Sequence, residues 1–436
     1  MKRQVASPAE WLTDSGLTPA GKIARESYSN FVKYLETLPI PTFRKARALH
    51  LLQSNSYDTV AEGFALPPHT VNFSLNNTCN LKCEYCDLNR GQNEWEETST
   101  KVEYSVIDPN ERRELPLEKC KNLIDQVEWF RPIIRAHWME SLLYSDLIPF
   151  IEYARSKDLP VSMLTNGLLL KKFAPSLVES GVEHLRVSLD GPAHIHDALC
   201  GVPGAYDTIV EGLQLLVEEN KKLKEPMQIG GYFTITDKNY NEMNALVADL
   251  DKKGLLEHMY LGFFMFSFIS KDMVNAHNQE HAAVCGATVE ETSSQYVDVT
   301  KIDMATLLQQ KKLIEDKYIS KGARINFRPN FTEENLSYSL STKSIPLPNV
   351  RCETHWHSLC VNPAGQIKPM SQCILDPCGD VFEESLLDIW NGEELRDQRV
   401  KLHEHGAYHG CMRCWSVYSS IEDAQGSWIS NVDEKA

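Results

Sequence analysis

Cys79, Cys83 and Cys86 lie close together in TVNFSLNNTCNLKCEYCDLN (70–89). Val71 to Leu75 reads as a strand, and Asn76, Asn77 and Asn80 mark the loop that follows. A C-x3-C-x2-C spacing at that place puts three thiolates on one tight loop at a strand end. Three soft ligands so placed can hold an iron–sulfur cluster while leaving one of its four irons without a protein ligand. That vacancy is where reactivity enters, much as an open position separates catalytic from structural zinc sites. The competing reading is a zinc knuckle with a distant fourth ligand, although zinc pairs usually come as C-x2-C.

Six further cysteines, Cys352, Cys360, Cys373, Cys378, Cys411 and Cys414, fall in the last quarter, where tryptophan and histidine also rise. A four-cysteine zinc site and an iron–sulfur site both accept the Cys411-x2-Cys414 pair. His355, His357, His403, His405 and His409 crowd the same region and read mostly as solvated or packing residues. Only Cys120, Cys200 and Cys285 stand alone. Leu117, Cys120, Ile124 and Val127 recur at helical spacing, so Cys120 reads as a small core residue. Cys285 reads as structural or incidental.

Composition limits the partners. The chain has 436 residues, 42% of them hydrophobic and 24% charged, which is ordinary for two or three globular domains. Lys and Arg total 44 against 60 Asp and Glu, a formal charge of -16, so nucleic acid and anionic membrane surfaces are not expected as main partners. MKRQVASPAEWLTDSG has no apolar run behind its basic residues and does not read as a secretory signal. LGFFMFSFI (261–269) is far short of the roughly 20 apolar residues of a spanning helix. A cytoplasmic location is expected, and twelve cysteines there point to metal ligation or thiol chemistry rather than disulfides.

The elements that must position these groups are strand-then-helix units. Candidate strands are 71–75, 132–138, 159–164, 184–189, 228–236 and 258–266, with helical patterns between them at 145–157 and 205–224. Such alternation predicts parallel strands joined by right-handed crossovers. Residues 20–38 look helical and end at Pro39 and Pro41, the polar stretch 87–114 has the makings of a lid, and 267–325 reads as a connection with helical segments.

CNLKCEYC, with the aromatic Tyr85 before its last cysteine, resembles the cluster motif of the radical S-adenosylmethionine (radical SAM) enzymes. The resemblance implies an α/β fold, a partial (β/α)6 TIM-like barrel with functional groups at the C-terminal strand ends. It also implies a [4Fe-4S] cluster on Cys79, Cys83 and Cys86 whose open iron binds SAM. Reductive cleavage of SAM then gives a 5′-deoxyadenosyl radical that takes a hydrogen atom from substrate, with electrons from a flavodoxin- or ferredoxin-type donor. His137-Trp138-Met139-Glu140-Ser141 stands where the family has Gly-Gly-Glu-Pro, so Glu140 is in register to meet the SAM amino group, while both glycines and the proline are replaced. Thr165-Asn166-Gly167 and Ser188-Leu189-Asp190-Gly191 look like family stretches that reach the ribose, which carries a cofactor role to Asn166 and Ser188. Cys200, in HDALCGVPGAY, stands near where related enzymes often have an arginine. It is either a buried small hydrophobe or, as in some radical epimerases, a hydrogen-atom donor.

The end of the chain resembles the SPASM or shorter twitch extension of the same family, through Trp356-x2-Leu359-x-Val361-Asn362-Pro363-x-Gly365 and the string IWNGEELR (389–396). The resemblance implies one auxiliary [4Fe-4S] cluster on Cys352, Cys373, Cys411 and Cys414. Met370 occupies an expected cysteine position, and Cys360 and Cys378 are reserve candidates. The expected organisation is an N-terminal helical extension (1–70), a radical SAM partial barrel (71–325) and a small cysteine-rich SPASM/twitch domain (326–436). The expected function is hydrogen abstraction from a small hydroxylated metabolite, sugar- or aminocyclitol-like, giving oxidation, dehydration or epimerisation. Two alternatives stand beside it: a maturase of ribosomally made peptides, and a zinc-stabilised binding protein without catalysis.

Overall fold

Strand residues alternate in character, and the alternation builds the sheet's two faces. The computed structural model describes residues 30, 33, 34, 37, 62–86, 113–292, 296–345, 351–370 and 372–417. The expected helix over 20–38 lies largely outside the described residues, as does the expected lid apart from residues 113–114. Nine strands form one sheet: β1 (Thr70–Phe73), β2 (Ile133–Ala136), β3 (Val161–Thr165), β4 (His184–Ser188), β5 (Gln228–Ile235), β6 (Met259–Met265), β7 (Ile325–Arg328), β8 (Ser358–Val361) and β9 (Ile367–Lys368). Their order is β7-β6-β5-β4-β3-β2-β1-β8-β9, and every pair is parallel except β8 with β9. The first seven strands follow chain order without a switch, as in a barrel that is wound once and left open.

One face is apolar. Val71, Phe73, Ile134, Ala136, Val161, Met163, Leu185, Val187, Ile229, Phe233, Leu261 and Phe263 are all buried in the main core. The other face carries Asn72, Arg135, Ser162, Arg186 and Tyr232, whose positions are one residue out of step with that apolar set. Two glycines make room on this inner face. A Cβ at Gly230 would stand 2.3 Å from the Tyr260 ring, and one at Gly262 would stand 2.4 Å from the Phe264 ring.

All six expected strands are present, and helices Leu147–Ser156 and Ala205–Asn220 fall within the expected spans. Cys120 is fully buried in helix Leu117–Val127. Three strands were not anticipated. β7 starts at Ile325, so the sheet runs across the expected boundary at 325/326, and β8 pairs with β1 on the opposite edge. Both are four-residue strands; β7 (INFR) is only partly buried, so neither offers the long apolar run that marked the others.

The tryptophan string fastens the C-terminal module to the segment before β1. Trp390 Nε1 donates to the Leu66 carbonyl at 2.9 Å, and Asn391 exchanges two hydrogen bonds with the backbone of Ala65. Arg399 is fully buried, stacks on the Trp390 ring at 4.1 Å, and donates to the carbonyls of His355 (2.7 Å) and Gly63 (2.9 Å). Gly63 has φ +73°, and a Cβ there would stand 2.2 Å from the Arg396 carbonyl oxygen, so no larger residue fits this approach.

Candidate functional site

The cysteine loop leaves the C-terminal end of β1 and is tied down from three sides. Asn76 Oδ1 accepts from the Thr78 N–H (2.9 Å), while its Nδ2 donates to the Glu140 carbonyl (3.0 Å), joining this loop to the turn after β2. The Glu84 N–H donates to the Leu199 carbonyl at 2.8 Å, holding the loop against helix Ala193–Cys200. Glu84 also pairs with Lys238. Tyr85 donates from its hydroxyl to Asp190 Oδ2 at 2.6 Å and meets Phe266 edge-on. Asp190 Oδ1 accepts from the Thr234 N–H at 2.8 Å, and the buried Asn239 bonds the Asp190 carbonyl at 2.9 Å. Burial pushes the Cys83 thiol well up, and Cys86, Asp190, Cys79 and Cys200 add to the shift. Burial therefore keeps the Cys83 thiol protonated until a metal cation displaces the proton and stabilises the thiolate.

The turn after β2 keeps a glycine-like backbone without glycine. Trp138 and Met139 have φ of 70° and 39°, the left-handed region that side chains disfavour. Glu140, 1% exposed, holds the turn through its carboxylate. Oε1 accepts from the Leu142 N–H (2.9 Å) and the Thr165 hydroxyl (2.7 Å), and Oε2 accepts from the Asn166 N–H (2.7 Å). Burial raises this carboxyl's pKa despite those three bonds. Asn166 Nδ2 in turn reaches Asn80 Oδ1 (2.7 Å) and the Cys79 sulfur (3.7 Å). Ser188 ends β4 on the inner face, half-buried.

Cys200 lies beneath the cysteine loop. It is 3% exposed, packs with Leu81 and Ala205 beside Cys79 and Cys83, and points its thiol to the Asp197 carbonyl at 3.6 Å. That placement favours the packing role over hydrogen donation.

The second cysteine group is gathered from three segments. Burial pushes Cys352 up to about 12, with Cys414 and Cys373 adding to it; Cys411 is pushed further by burial, Cys352, Cys414 and Cys373. Burial also raises Cys414. Cys352 and Cys411 thus lie near each other and near both Cys373 and Cys414. Cys378 lies near Cys373, and Cys360 is buried within β8. His355, 2% exposed, sits between Cys352 and Cys373 at 3.9 Å from each sulfur. Among the described residues no three His, Cys, Asp or Glu side chains converge on the point a single metal ion would fill. A four-iron cluster instead spreads its sulfur ligands around a cube, and both cysteine groups suit it by donor type and by neighbourhood.

A cavity of about 190 Å3 on the inner face is walled by Asn72, Arg135, His137, Trp138, His357 and Met370 among others. Met370, at the expected cysteine position, accepts a hydrogen bond on sulfur from the Ser416 hydroxyl at 3.3 Å. Burial pushes His137 well below the usual imidazole range, and Arg186 and Arg135 push it further, so its ring is neutral. Sequence reasoning missed Arg135, Arg186, Asn76 and Asn239. A lone arginine alternating with apolar residues, as in IIRAHW and HLRVS, was the available signal for the first two.

Residues 73–249 match the Radical SAM superfamily, and residues 352–415 match an iron–sulfur cluster-binding domain, SPASM. An AdoMet-dependent heme synthase of Methanosarcina barkeri is 31% identical over 336 residues, covering 75% of this chain and 83% of that protein. An Fe-coproporphyrin III synthase of the same organism is 30% identical over 200 residues, 43% of this chain; there the chain spans 45% of the relative's length. Streptococcus suis SuiB bound to its precursor peptide SuiA shares the fold, with a TM-score of 0.53 at 15% identity, covering 90% of this chain and 86% of that one. Among the described residues no helix is long and apolar enough to cross a membrane. The chain therefore belongs to the radical SAM superfamily, as an enzyme that works with SAM, a [4Fe-4S] cluster and, through its SPASM domain, an auxiliary cluster.

Proposed function

We propose that this enzyme removes a hydrogen atom from a C–H bond of a small hydroxylated metabolite seated in the barrel interior. Oxidation, dehydration or epimerisation would follow. Cys79, Cys83 and Cys86 would hold the cluster that binds SAM, and Cys352, Cys373, Cys411 and Cys414 the auxiliary one. When bound, these groups supply a 5′-deoxyadenosyl radical and a nearby site that exchanges single electrons, fed by a flavodoxin- or ferredoxin-type donor. The chain's own residues supply position. Glu140 fixes the turn beside the loop, Asn166 and Asn80 steady Cys79, and the Tyr85–Asp190 bond steadies the far end of the loop. His137, kept neutral on the cavity wall, can accept a hydrogen bond from a substrate hydroxyl. The observation that carries the reading is that a cavity walled by Asn72, Arg135 and His137 opens on the inner face of the same parallel sheet whose first strand leads into the three-thiol loop.

A second reading, a heme-type substrate, is favoured by the likeness to the heme synthase over most of its length. The test is anaerobic incubation with dithionite and SAM, which should release 5′-deoxyadenosine. Deuterium-labelled sugars and aminocyclitols are then offered against heme precursors and peptides. Transfer of deuterium into 5′-deoxyadenosine from the first set supports the proposal. Transfer from either other set replaces it.

A further inference from the structure

The barrel interior holds two guanidinium groups that, among the described residues, form no ion pair with an acid. Arg186 on β4 is 6% exposed; it donates from Nη1 to the Tyr232 hydroxyl at 3.0 Å and from Nη2 to the Ser162 hydroxyl, both neutral acceptors, and its Nε has no partner. Arg135 on β2 lines the cavity, and its Nε is buried without a partner. Among the described residues it makes no hydrogen bond or ion pair. Burial and the neighbouring Arg186 push it down to about 10. The carboxylate on the same cavity wall, Glu353, is already paired with Arg351 at 2.6 Å.

A buried guanidinium with a half-buried one across β3 from it raises the energy of the fold unless an anion completes them. The chain, at a formal charge of -16, has acids in excess, yet among the described residues none pairs with either arginine. Neutral neighbours surround the pair instead: Asn72 donates away to Ser358 and the Leu359 carbonyl, and His137 is held uncharged. We propose that Arg135 and Arg186 form a subsite for an oxyanion of the substrate, a carboxylate or a phosphate. Arg135 makes the direct, fork-shaped contact from the cavity wall. Arg186, fixed by Tyr232 and Ser162, stands behind it and adds its field. The subsite rests on the enzymatic reading above and names the charge class of the substrate.

Succinate and inorganic phosphate are the probes, titrated calorimetrically into the anaerobically reconstituted full chain with and without SAM. One of them should saturate the wild type, and which one identifies the oxyanion. Arg135→Met should bind it at least about tenfold more weakly, and Arg135→Lys should recover part of the loss as a point charge without the fork. The urea midpoint of Arg135→Met should equal or exceed that of the wild type, because an unmatched buried cation has been removed. Four results overturn the subsite: no saturation by either anion, equal affinity in Arg135→Met, a lowered urea midpoint that makes Arg135 structural, or competition between SAM and the anion. Release of 5′-deoxyadenosine by the same wild-type preparation tests the enzymatic reading separately. Anion binding without that release would remove the reading and leave an anion site. The release without anion binding would do the reverse.

Discussion

The two cysteine groups are built by opposite strategies. Cys79, Cys83 and Cys86 are supplied by one short loop, so their mutual spacing is set locally and the fold has only to anchor the loop, through Asn76, Glu84 and Tyr85. Cys352, Cys373 and the Cys411/Cys414 pair come from three segments, which the Trp390 and Arg399 contacts and helix Glu393–His405 must bring together. Burial lifts the Cys83 thiol in the first group, and those of Cys352, Cys411 and Cys414 in the second. A loop-borne site carries its own geometry, whereas a site drawn from three segments depends on the contacts that hold those segments together.

The largest test of that contrast is Cys83→Ala. It should abolish 5′-deoxyadenosine release and lower iron from about eight to about four per chain, because each four-iron cluster stands or falls with its own thiolates. Iron analysis and a product assay read both. Within the second group, Cys373→Ala should likewise remove about four irons, whereas Cys378→Ala should leave the total near eight. The reverse pattern would exchange the two ligands, since Cys378 lies near Cys373.

Glu140→Gln probes the anchoring of the first group. An amide at this place keeps one acceptor but turns an N–H2 toward the Thr165 hydroxyl or the Asn166 N–H, both of which already donate here. A loss of about 1–3 kcal/mol in urea unfolding is expected, with weaker retention of iron by the loop. An unchanged midpoint would mean that the turn is held by Asn76 without help from the carboxylate.

This difference in construction also explains what the sequence shows and what it hides. The loop of Cys79, Cys83 and Cys86 reads directly, because a contiguous motif carries its geometry with it. The six apolar strand runs read for the same reason, and each of them is found in the sheet. β7 and β8 were missed because INFR and SLCV are too short for their periodicity to stand out; pairing with β6 and β1 makes them strands. The ligand set of the second group was narrowed by resemblance alone, because nothing in a linear spacing says that Cys352 and Cys414 are neighbours. Arg135 and Arg186 were overlooked for a different reason. Their role depends on their forming no ion pair among the described residues, which only the packed structure displays.

The smallest effect concerns the turn that stands where related enzymes carry two glycines. Met139 sits at φ 39° and Trp138 at φ 70°, each at a cost of roughly 1–2 kcal/mol relative to an ordinary conformation. Trp138 is held by its place in the cavity wall and by an edge-on contact with His137 at 4.9 Å. Met139 is only half-buried, so less packing offsets its strain. Met139→Gly should therefore stabilise the chain by up to about 1 kcal/mol, the relief of strain being partly cancelled by the greater freedom of glycine in the unfolded chain. Trp138→Gly should gain less or lose stability, because it also empties part of the cavity wall. Urea midpoints of the two variants decide the matter. If Met139→Gly is the less stable of the pair, the strained turn is held by the methionine side chain, and the Glu140 carboxylate is not its main support.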